Sequence, residues 1–123
     1  MARIIIIDDD ESFGDIMWRR LHSAGFDATF HKGPFGTVNA IRRGTFDLVI
    51  LDVSMPALDG PQLVSLIRET KGLVRTKILL CSSMDLDALR DLAGDLNVDA
   101  FISKSASKNE ILAVVRSLLQ GSS

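Results

Sequence analysis

Short runs of apolar residues alternate along the chain with longer stretches in which apolar residues recur every three or four positions. The runs fall at residues 3–8, 27–31, 46–51, 77–82 and 100–103. Those at 3–8 and 46–51 are apolar at nearly every position, as is typical of strands covered by helices on both faces of a parallel sheet. The pattern therefore predicts five strands.

The stretches between these runs predict five helices, most of them with recognisable ends. Gly25 and Gly44 follow the first two, the second covering residues 36–43, and Gly is the residue that most often stands just past a helix. The fourth covers residues 85–95. The predicted apolar faces of helices one, three, four and five are Phe13, Ile16, Met17, Leu21 and Ala24; Leu63, Leu66 and Ile67; Leu86, Leu89, Leu92 and Ala93; and Ile111, Val114, Val115, Leu118 and Leu119.

Two of the helices also carry starting signals. Pro61, two residues after Asp59, suits the first turn of the third helix. Ser107 and Glu110 form a capping box for the fifth.

The strict alternation of strand and helix predicts an α/β fold with a doubly wound parallel sheet, because right-handed crossovers place helices on both faces. With strand order 2-1-3-4-5 and five helices, this architecture is flavodoxin-like. A length of 123 residues suits one hydrophobic core, so we expect residues 1–123 to form a single domain.

Composition narrows the function classes. The chain is 46% hydrophobic and 24% charged with a net charge of −2, which indicates a globular domain and disfavours nucleic acid as a direct partner. The apolar stretch at 4–7 is too short for a signal or membrane span, so we expect a cytoplasmic protein without a membrane partner. The single cysteine, Cys81, lies in an apolar run and is expected to be a buried, unreactive thiol.

Polar residues follow the strands at their carboxyl ends, where open α/β sheets bind ligands. Asp8 and Asp9 follow the first strand, Asp52 the third, Ser82 the fourth and Lys104 the fifth. If strands one and three are neighbours, the carboxylates crowd together and favour a cation. Oxygen ligands with room for water suit Mg²⁺, and a carboxylate beside Mg²⁺ and a lysine is a plausible nucleophile toward a phosphoryl group.

Other candidates have simpler explanations. For Asp10 and Glu11 a role as negative charges at a helix N-terminus is sufficient. His22 and His31 have no suitably spaced ligand partners, which disfavours a transition-metal site. The chain lacks the glycine-rich motifs of nucleotide-binding loops.

Four segments together resemble the receiver domain of two-component response regulators, of the chemotaxis-regulator-like kind. They are residues 4–10 (IIIIDDD), 46–60 (FDLVILDVSMPALDG), 78–83 (ILLCSS) and 100–104 (AFISK). The second is the most specific, with Asp52 followed by Met55-Pro56 and Asp59-Gly60. The resemblance covers essentially the whole chain.

The resemblance implies a role for each residue of the site. Asp52 would be the phosphoacceptor, and Asp8 and Asp9 would hold Mg²⁺ together with Asp52. Ser54 would offer its backbone carbonyl to the metal.

Three further roles follow from the resemblance. Ser82 would turn its hydroxyl toward the phosphoryl group, Lys104 would contact the phosphate, and Phe101 would be the aromatic switch residue. The family usually has proline after the lysine, in a cis peptide bond, whereas Ser105 follows here. Because a cis bond before serine costs about 2.5–4 kcal/mol, we expect a trans Lys104–Ser105 bond with Lys104 still directed toward Asp52.

The implied function is a phosphorylation switch that receives its phosphoryl group from a phosphohistidine on a sensor histidine kinase or phosphotransfer protein. It would catalyse its own phosphorylation and dephosphorylation and turn over no external substrate. It would act on a downstream protein or output domain through the surface of helix four, strand five and helix five. A phosphorylation-independent binding module is the alternative that Ser105 leaves open, whereas Ser54 stands where an aspartyl-phosphate phosphatase needs a second acid.

Overall fold

The structure, a computed structural model, describes residues 1–55, 59–70 and 75–120. Five strands and five helices alternate along the chain in the predicted order. The strands are β1 (Arg3–Asp8), β2 (Asp27–Lys32), β3 (Leu48–Leu51), β4 (Lys77–Ser82) and β5 (Ala100–Ser103). The helices are α1 (Glu11–Ser23), α2 (Thr37–Arg43), α3 (Gly60–Glu69), α4 (Leu86–Leu96) and α5 (Lys108–Gln120).

The strands form one parallel sheet in the order β2-β1-β3-β4-β5, which confirms the predicted flavodoxin-like architecture. In the centre, Ile4 pairs with Leu48 and Ile7 with Leu51. This register brings the carboxyl ends of β1 and β3 side by side.

A hydrophobic core lies on each face of the sheet. Alternate residues of β1 supply the two cores, with Ile5 and Ile7 on one face and Ile4 and Ile6 on the other. The first core includes buried residues of α2, α3 and α4, and the second includes those of α1 and α5. Helices therefore cover both faces, which explains why the central strands are almost entirely apolar.

Two strand boundaries differ from the prediction. β3 begins at Leu48, not at Phe46, because Phe46 is buried beside the sheet and its carbonyl accepts a hydrogen bond from Thr76 Oγ1 at 2.9 Å. β2 extends one residue further, to Lys32, which pairs with Asp8.

Three residues predicted on buried helix faces, Ile16, Leu66 and Leu86, are instead 48%, 39% and 51% exposed. Ile16 lies about 100° around α1 from Met17, which is fully buried. The buried stripe of α1 is narrow and consists of Gly14, Met17 and Leu21. A side chain further around the helix therefore reaches solvent.

The predicted starts of α3 and α5 are confirmed, whereas α2 begins one residue later than predicted, at Thr37, and α4 covers Leu86–Leu96 instead of residues 85–95. Asp59 caps α3 by accepting a hydrogen bond from Gln62 N, with Pro61 in the first turn. Ser107 Oγ caps α5 by accepting a hydrogen bond from Glu110 N at 3.1 Å and donates to the Glu110 carboxylate at 3.2 Å, whereas in a full capping box that carboxylate accepts from the backbone N–H of the cap residue. Within the described ranges, no helix is long and apolar enough to cross a membrane.

Candidate functional site

The carboxyl ends of four strands converge at one edge of the sheet. Asp8 is the last residue of β1 and Ser82 the last of β4, while Asp52 directly follows β3 and Lys104 directly follows β5. Backbone hydrogen bonds continue the sheet into the site, from Asp52 N to Ile7 O at 3.0 Å and from Lys104 N to Ser82 O at 2.9 Å. The sheet itself therefore fixes where these side chains start.

Asp8, Asp9 and Asp52 form a cluster in which each offers a carboxylate oxygen within 4.8 Å of the others. Asp8 and Asp52 are buried, with 2% and 3% of their surface exposed, whereas Asp9 faces solvent. Oxygen-only ligands of which one is open to water suit a hard cation that keeps part of its hydration shell. The donor set thus fits the predicted metal.

One oxygen of each buried carboxylate is held by the backbone of the following loop. Asp8 Oδ1 accepts a hydrogen bond from Asp10 N at 2.9 Å, and Asp52 Oδ1 accepts one from Ser54 N at 2.8 Å. These local bonds are typical of aspartate at turns and fix the orientation of both carboxylates. The second oxygen of each is directed toward Lys104.

The ammonium of Lys104 bridges the two buried carboxylates. Its Nζ lies 2.8 Å from Asp8 Oδ2 and 3.0 Å from Asp52 Oδ2. Burial disfavours the charge on Lys104, but the hydrogen bonds to Asp8 and Asp52 together with the attraction of their charges outweigh burial and raise the pKa of the ammonium above its ordinary value. Lys104 is therefore a fixed positive charge at neutral pH.

Opposing effects act on the pKa of the Asp8 carboxyl. Burial raises the pKa of its carboxyl, and repulsion from Asp52 acts in the same direction. The hydrogen bonds from Lys104 and from Asp10 N lower the pKa of Asp8 but do not cancel the effect of burial. The cluster accordingly carries more negative charge than its surroundings stabilise, which is the condition that favours cation binding.

The hydroxyl of Ser82 is fully buried and points into a small polar network. Its Oγ accepts a hydrogen bond from Met84 N at 3.1 Å and lies 2.8 Å from Ser54 Oγ. Phe101 is half-buried and packs against the core on the face of α2, α3 and α4. The proposed switch residues thus occupy neighbouring strands, β4 and β5.

Asp10 and Glu11 lie outside the carboxylate cluster. Asp10 Oδ1 caps α1 by accepting hydrogen bonds from Ser12 N and Phe13 N, at 3.0 and 3.2 Å. Glu11 forms an exposed ion pair with Lys32 at 3.1 Å. The helix-terminus explanation of these two acids is therefore the correct one.

The Lys104–Ser105 peptide bond is trans, as expected, since the cis bond found in the described part of the chain joins Gly33 and Pro34. Lys104 nevertheless reaches Asp52. Pro56, part of the motif that carried the resemblance, lies outside the described residues.

Phe13 was not among the predicted site residues. The Lys104 Nζ lies over its ring, 4.7 Å from the centroid, within the range of a cation–π interaction. The sequence offers one signal for this contact, an aromatic residue in the first turn of the helix that follows the acidic cluster.

The chain matches a known protein family over most of its length. The family model described as "Response regulator receiver domain" matches residues 4–116. The chain belongs to the response regulator receiver domain family. The predicted resemblance is thereby confirmed, and the receiver is a signalling domain of two-component systems.

Curated relatives of the receiver include longer regulatory proteins. The transcriptional regulatory protein PcoR of Escherichia coli is 31% identical over 120 residues, which cover 98% of this chain and 52% of PcoR. The alkaline phosphatase synthesis transcriptional regulatory protein PhoP of Bacillus subtilis is 27% identical, over 98% of this chain and 49% of PhoP. The chain spans about half the length of these relatives.

Solved receivers share the fold over nearly the entire chain. The chemotaxis response regulator CheY4 of Vibrio cholerae is 20% identical and superposes with a TM-score of 0.86 over 97% of this chain and 99% of CheY4. The response regulator TrrA of Thermotoga maritima, solved in complex with Mg²⁺-BeF, is 27% identical. It superposes with a TM-score of 0.83 over 97% of this chain and 100% of TrrA.

Proposed function

We propose that this receiver accepts a phosphoryl group on Asp52 and that Mg²⁺ is required for the transfer. The observation that carries the proposal is the placement of Asp52, which is 3% exposed, beside the Lys104 ammonium and in one cluster with the carboxylates of Asp8 and Asp9. A carboxylate held this way is a pre-positioned nucleophile with a positive charge 3.0 Å away. The similar response regulator TrrA was solved in complex with Mg²⁺-BeF, which supports the proposal that Mg²⁺ is required.

The transfer is a substitution at phosphorus. An oxygen of Asp52 forms the new P–O bond, the P–N bond of the donor phosphohistidine breaks, and the donor imidazole keeps the bonding electron pair. Lys104 would remain beside Asp52 and contact a phosphoryl oxygen, where its charge stabilises the transferring group. Asp8, Asp9, Asp52 and the backbone carbonyl of Ser54 would hold Mg²⁺, which supplies further positive charge at the phosphoryl oxygens when bound.

The same residues would govern loss of the phosphoryl group. Water attacking the phosphorus releases inorganic phosphate and restores the Asp52 carboxylate. Because acceptor, lysine and metal ligands all belong to the receiver, it would catalyse both its phosphorylation and its dephosphorylation. It acts on no separate substrate in this scheme, and the donor is a sensor histidine kinase or phosphotransfer protein.

The switch would begin at Ser82. Its hydroxyl now interacts with Ser54 Oγ, and turning toward a phosphoryl oxygen requires breaking that contact. Phe101 lines an open groove with Leu86 and Ala106, between α4, β5 and the start of α5. A change at Ser82 would be transmitted to this surface, where a downstream protein or an output domain binds.

The proposal also covers the extent of the domain, its location and its output surface. Residues 1–123 would form one receiver domain that acts in the cytoplasm and touches neither nucleic acid nor membrane directly. Amide shifts on phosphorylation should concentrate in α4, β5 and α5. Shifts confined to α1 and α2 would contradict the assignment of the output surface.

The acceptor is tested by intact mass after incubation with a small-molecule phosphodonor and Mg²⁺. We expect the unmutated receiver to gain one phosphoryl group, and Asp52→Asn or an excess of EDTA to prevent the gain. Asp59→Asn is the matched control, since Asp59 lies at the N-cap of α3 and asparagine caps equally well. A phosphoryl mass on Asp52→Asn would show that another residue is the acceptor. No uptake by the unmutated protein would contradict the proposal and favour a phosphorylation-independent module.

A further inference from the structure

We propose that Phe13 is a positioning residue that holds the Lys104 ammonium in place while phosphoryl transfer alters the charges around it. This inference rests on the proposed function of Asp52. The observation behind it is that Lys104 Nζ has carboxylates and an aromatic ring as neighbours, at 2.8 and 3.0 Å from oxygens and 4.7 Å from the Phe13 centroid.

Local structure fixes the ring of Phe13. Its backbone N–H is one of the two that donate to the cap residue Asp10, so Phe13 stands in the first turn of α1. Its side chain is half-buried and packs against the core on the face of α1 and α5. Few rotamers remain open to a side chain held in this way, so the ring face is presented to Lys104 as a fixed surface.

The backbone around Lys104 is anchored but does not by itself fix the ammonium. The following peptide bond is trans, and Ser105 bonds back to Ser103, with its N–H donating to Ser103 Oγ at 3.1 Å and its own Oγ 2.8 Å from the same atom. The backbone N–H of Lys104 is bound to Ser82 O, but four rotatable side-chain bonds separate that anchor from Nζ. Contacts at the ammonium must therefore set its position.

The carboxylate contacts of the ammonium change during the proposed reaction, whereas the ring contact does not. When an Asp52 oxygen becomes bonded to phosphorus, the Asp52 carboxylate charge moves to the phosphoryl oxygens. When Asp8 binds a cation, less of its charge is left for Lys104. The attraction of the ammonium to the ring face depends on neither event. Phe13 is thus the constant partner that keeps Lys104 over the reacting group.

The test is a double-mutant cycle on the rate of phosphoryl uptake from a small-molecule phosphodonor with Mg²⁺. Phe13→Leu keeps an apolar side chain but removes the ring, and we expect a rate loss of roughly threefold to tenfold. Phe13→Tyr keeps an aromatic ring and should retain most of the rate of the unmutated receiver. In a Lys104→Ala background, Phe13→Leu should cause no further loss. Phe35→Leu, which alters a ring that is 83% exposed, is the control.

A spectroscopic readout separates positioning from general packing. The ε-methylene protons of Lys104 should show an upfield ring-current shift in the unmutated receiver and in Phe13→Tyr. Phe13→Leu should abolish this shift. Urea unfolding of each variant shows whether the fold is retained.

Two results would overturn the role of Phe13. One is an absent ring-current shift in the unmutated receiver. The other is an equal rate loss from Phe13→Leu with and without Lys104. If the unmutated receiver takes up no phosphoryl group, the acceptor assignment fails instead, and the ring-current shift still reports on the contact.

Discussion

Removing the Lys104 ammonium should destabilise the metal-free receiver, and by an amount that depends on pH. Lys104→Ala leaves Asp8 and Asp52 facing each other with 2% and 3% exposure and no cation between them. Removing one partner of a buried ion pair typically costs about 3–5 kcal/mol. Because 18% of the Lys104 side chain reaches solvent, screening reduces the cost, and we expect about 2–3 kcal/mol at pH 7.5.

Protonation limits this cost at lower pH. An aspartate that binds a proton no longer repels its neighbour. Protonating it costs about 1.4 kcal/mol for each unit by which the pH exceeds its ordinary pKa, near 3.9. At pH 5 the variant should therefore lose no more than about 1.5 kcal/mol. The pKa of Asp8, which burial already raises, has a consequence of the same sign. A carboxyl whose pKa is higher in the folded protein than in the unfolded chain stabilises the fold at low pH, and this stabilisation is lost as pH rises through the folded pKa. Without Lys104 the pKa of Asp8 rises further.

The assay is urea unfolding of both proteins in EDTA at pH 5 and pH 7.5. Arg90→Ala is the control, since its exposed pair with Asp87 should contribute about 0.5 kcal/mol or less. Adding Mg²⁺ should stabilise Lys104→Ala more than the unmutated protein, because a cation there replaces the missing charge. A loss below about 0.5 kcal/mol at pH 7.5, or a larger loss at pH 5, would refute this account of the charges.

Two further predictions concern the same edge of the sheet and the core below it. Asp9→Ala should weaken Mg²⁺ binding by tenfold or so in a fluorescence or calorimetric titration, and the affinity of the unmutated protein should fall as acid protonates Asp8, whose pKa is raised by burial. An Asp9→Ala titration that superimposes on the unmutated one would remove Asp9 from the ligand set. Burial raises the pKa of Cys81 to about 12, so iodoacetamide at pH 8 should alkylate it at least a thousandfold more slowly in the folded protein than in urea. Comparable rates would show that the thiol is accessible.

The fold could be predicted because its signals are local and repeated. Residues 4–7 and 48–51 are apolar throughout because both faces of their strands are covered, and the helices between strands end at Gly25, Gly44 and similar signals. The convergence of Asp8, Asp52 and Lys104 then follows from the topology, since parallel strands end at a common edge.

The errors arose where tertiary packing decided the outcome. Spacing alone places Ile16 with Phe13 and Met17, but the buried stripe of α1 is limited to Gly14, Met17 and Leu21. Likewise, Leu86 has the right spacing for the buried face of α4 but lies in its first turn beside an open groove. Periodicity shows which face of a helix is apolar, but not how far a neighbouring element covers it.

Contacts between side chains that lie far apart in the sequence could not be predicted either. The Ser54–Ser82 contact and the position of Phe13 over Lys104 depend on rotamers and on the height of α1 above the sheet edge. Asp10 shows the converse difficulty, because an acid beside a metal cluster and an acid capping a helix have the same sequence pattern. Only the hydrogen bonds from Ser12 N and Phe13 N distinguish them.

Chemical mapping of the acceptor is the most direct test of the central claim, that Asp52 is where this receiver is phosphorylated. Borohydride reduces an aspartyl phosphate to homoserine, so phosphodonor-treated protein can be reduced, digested and sequenced by mass spectrometry. We expect homoserine in place of Asp52, formed only when Mg²⁺ is present, with Asp8 and Asp9 unchanged. Homoserine at another aspartate, or a stable phosphate on Ser54 with Asp52 intact, would contradict it.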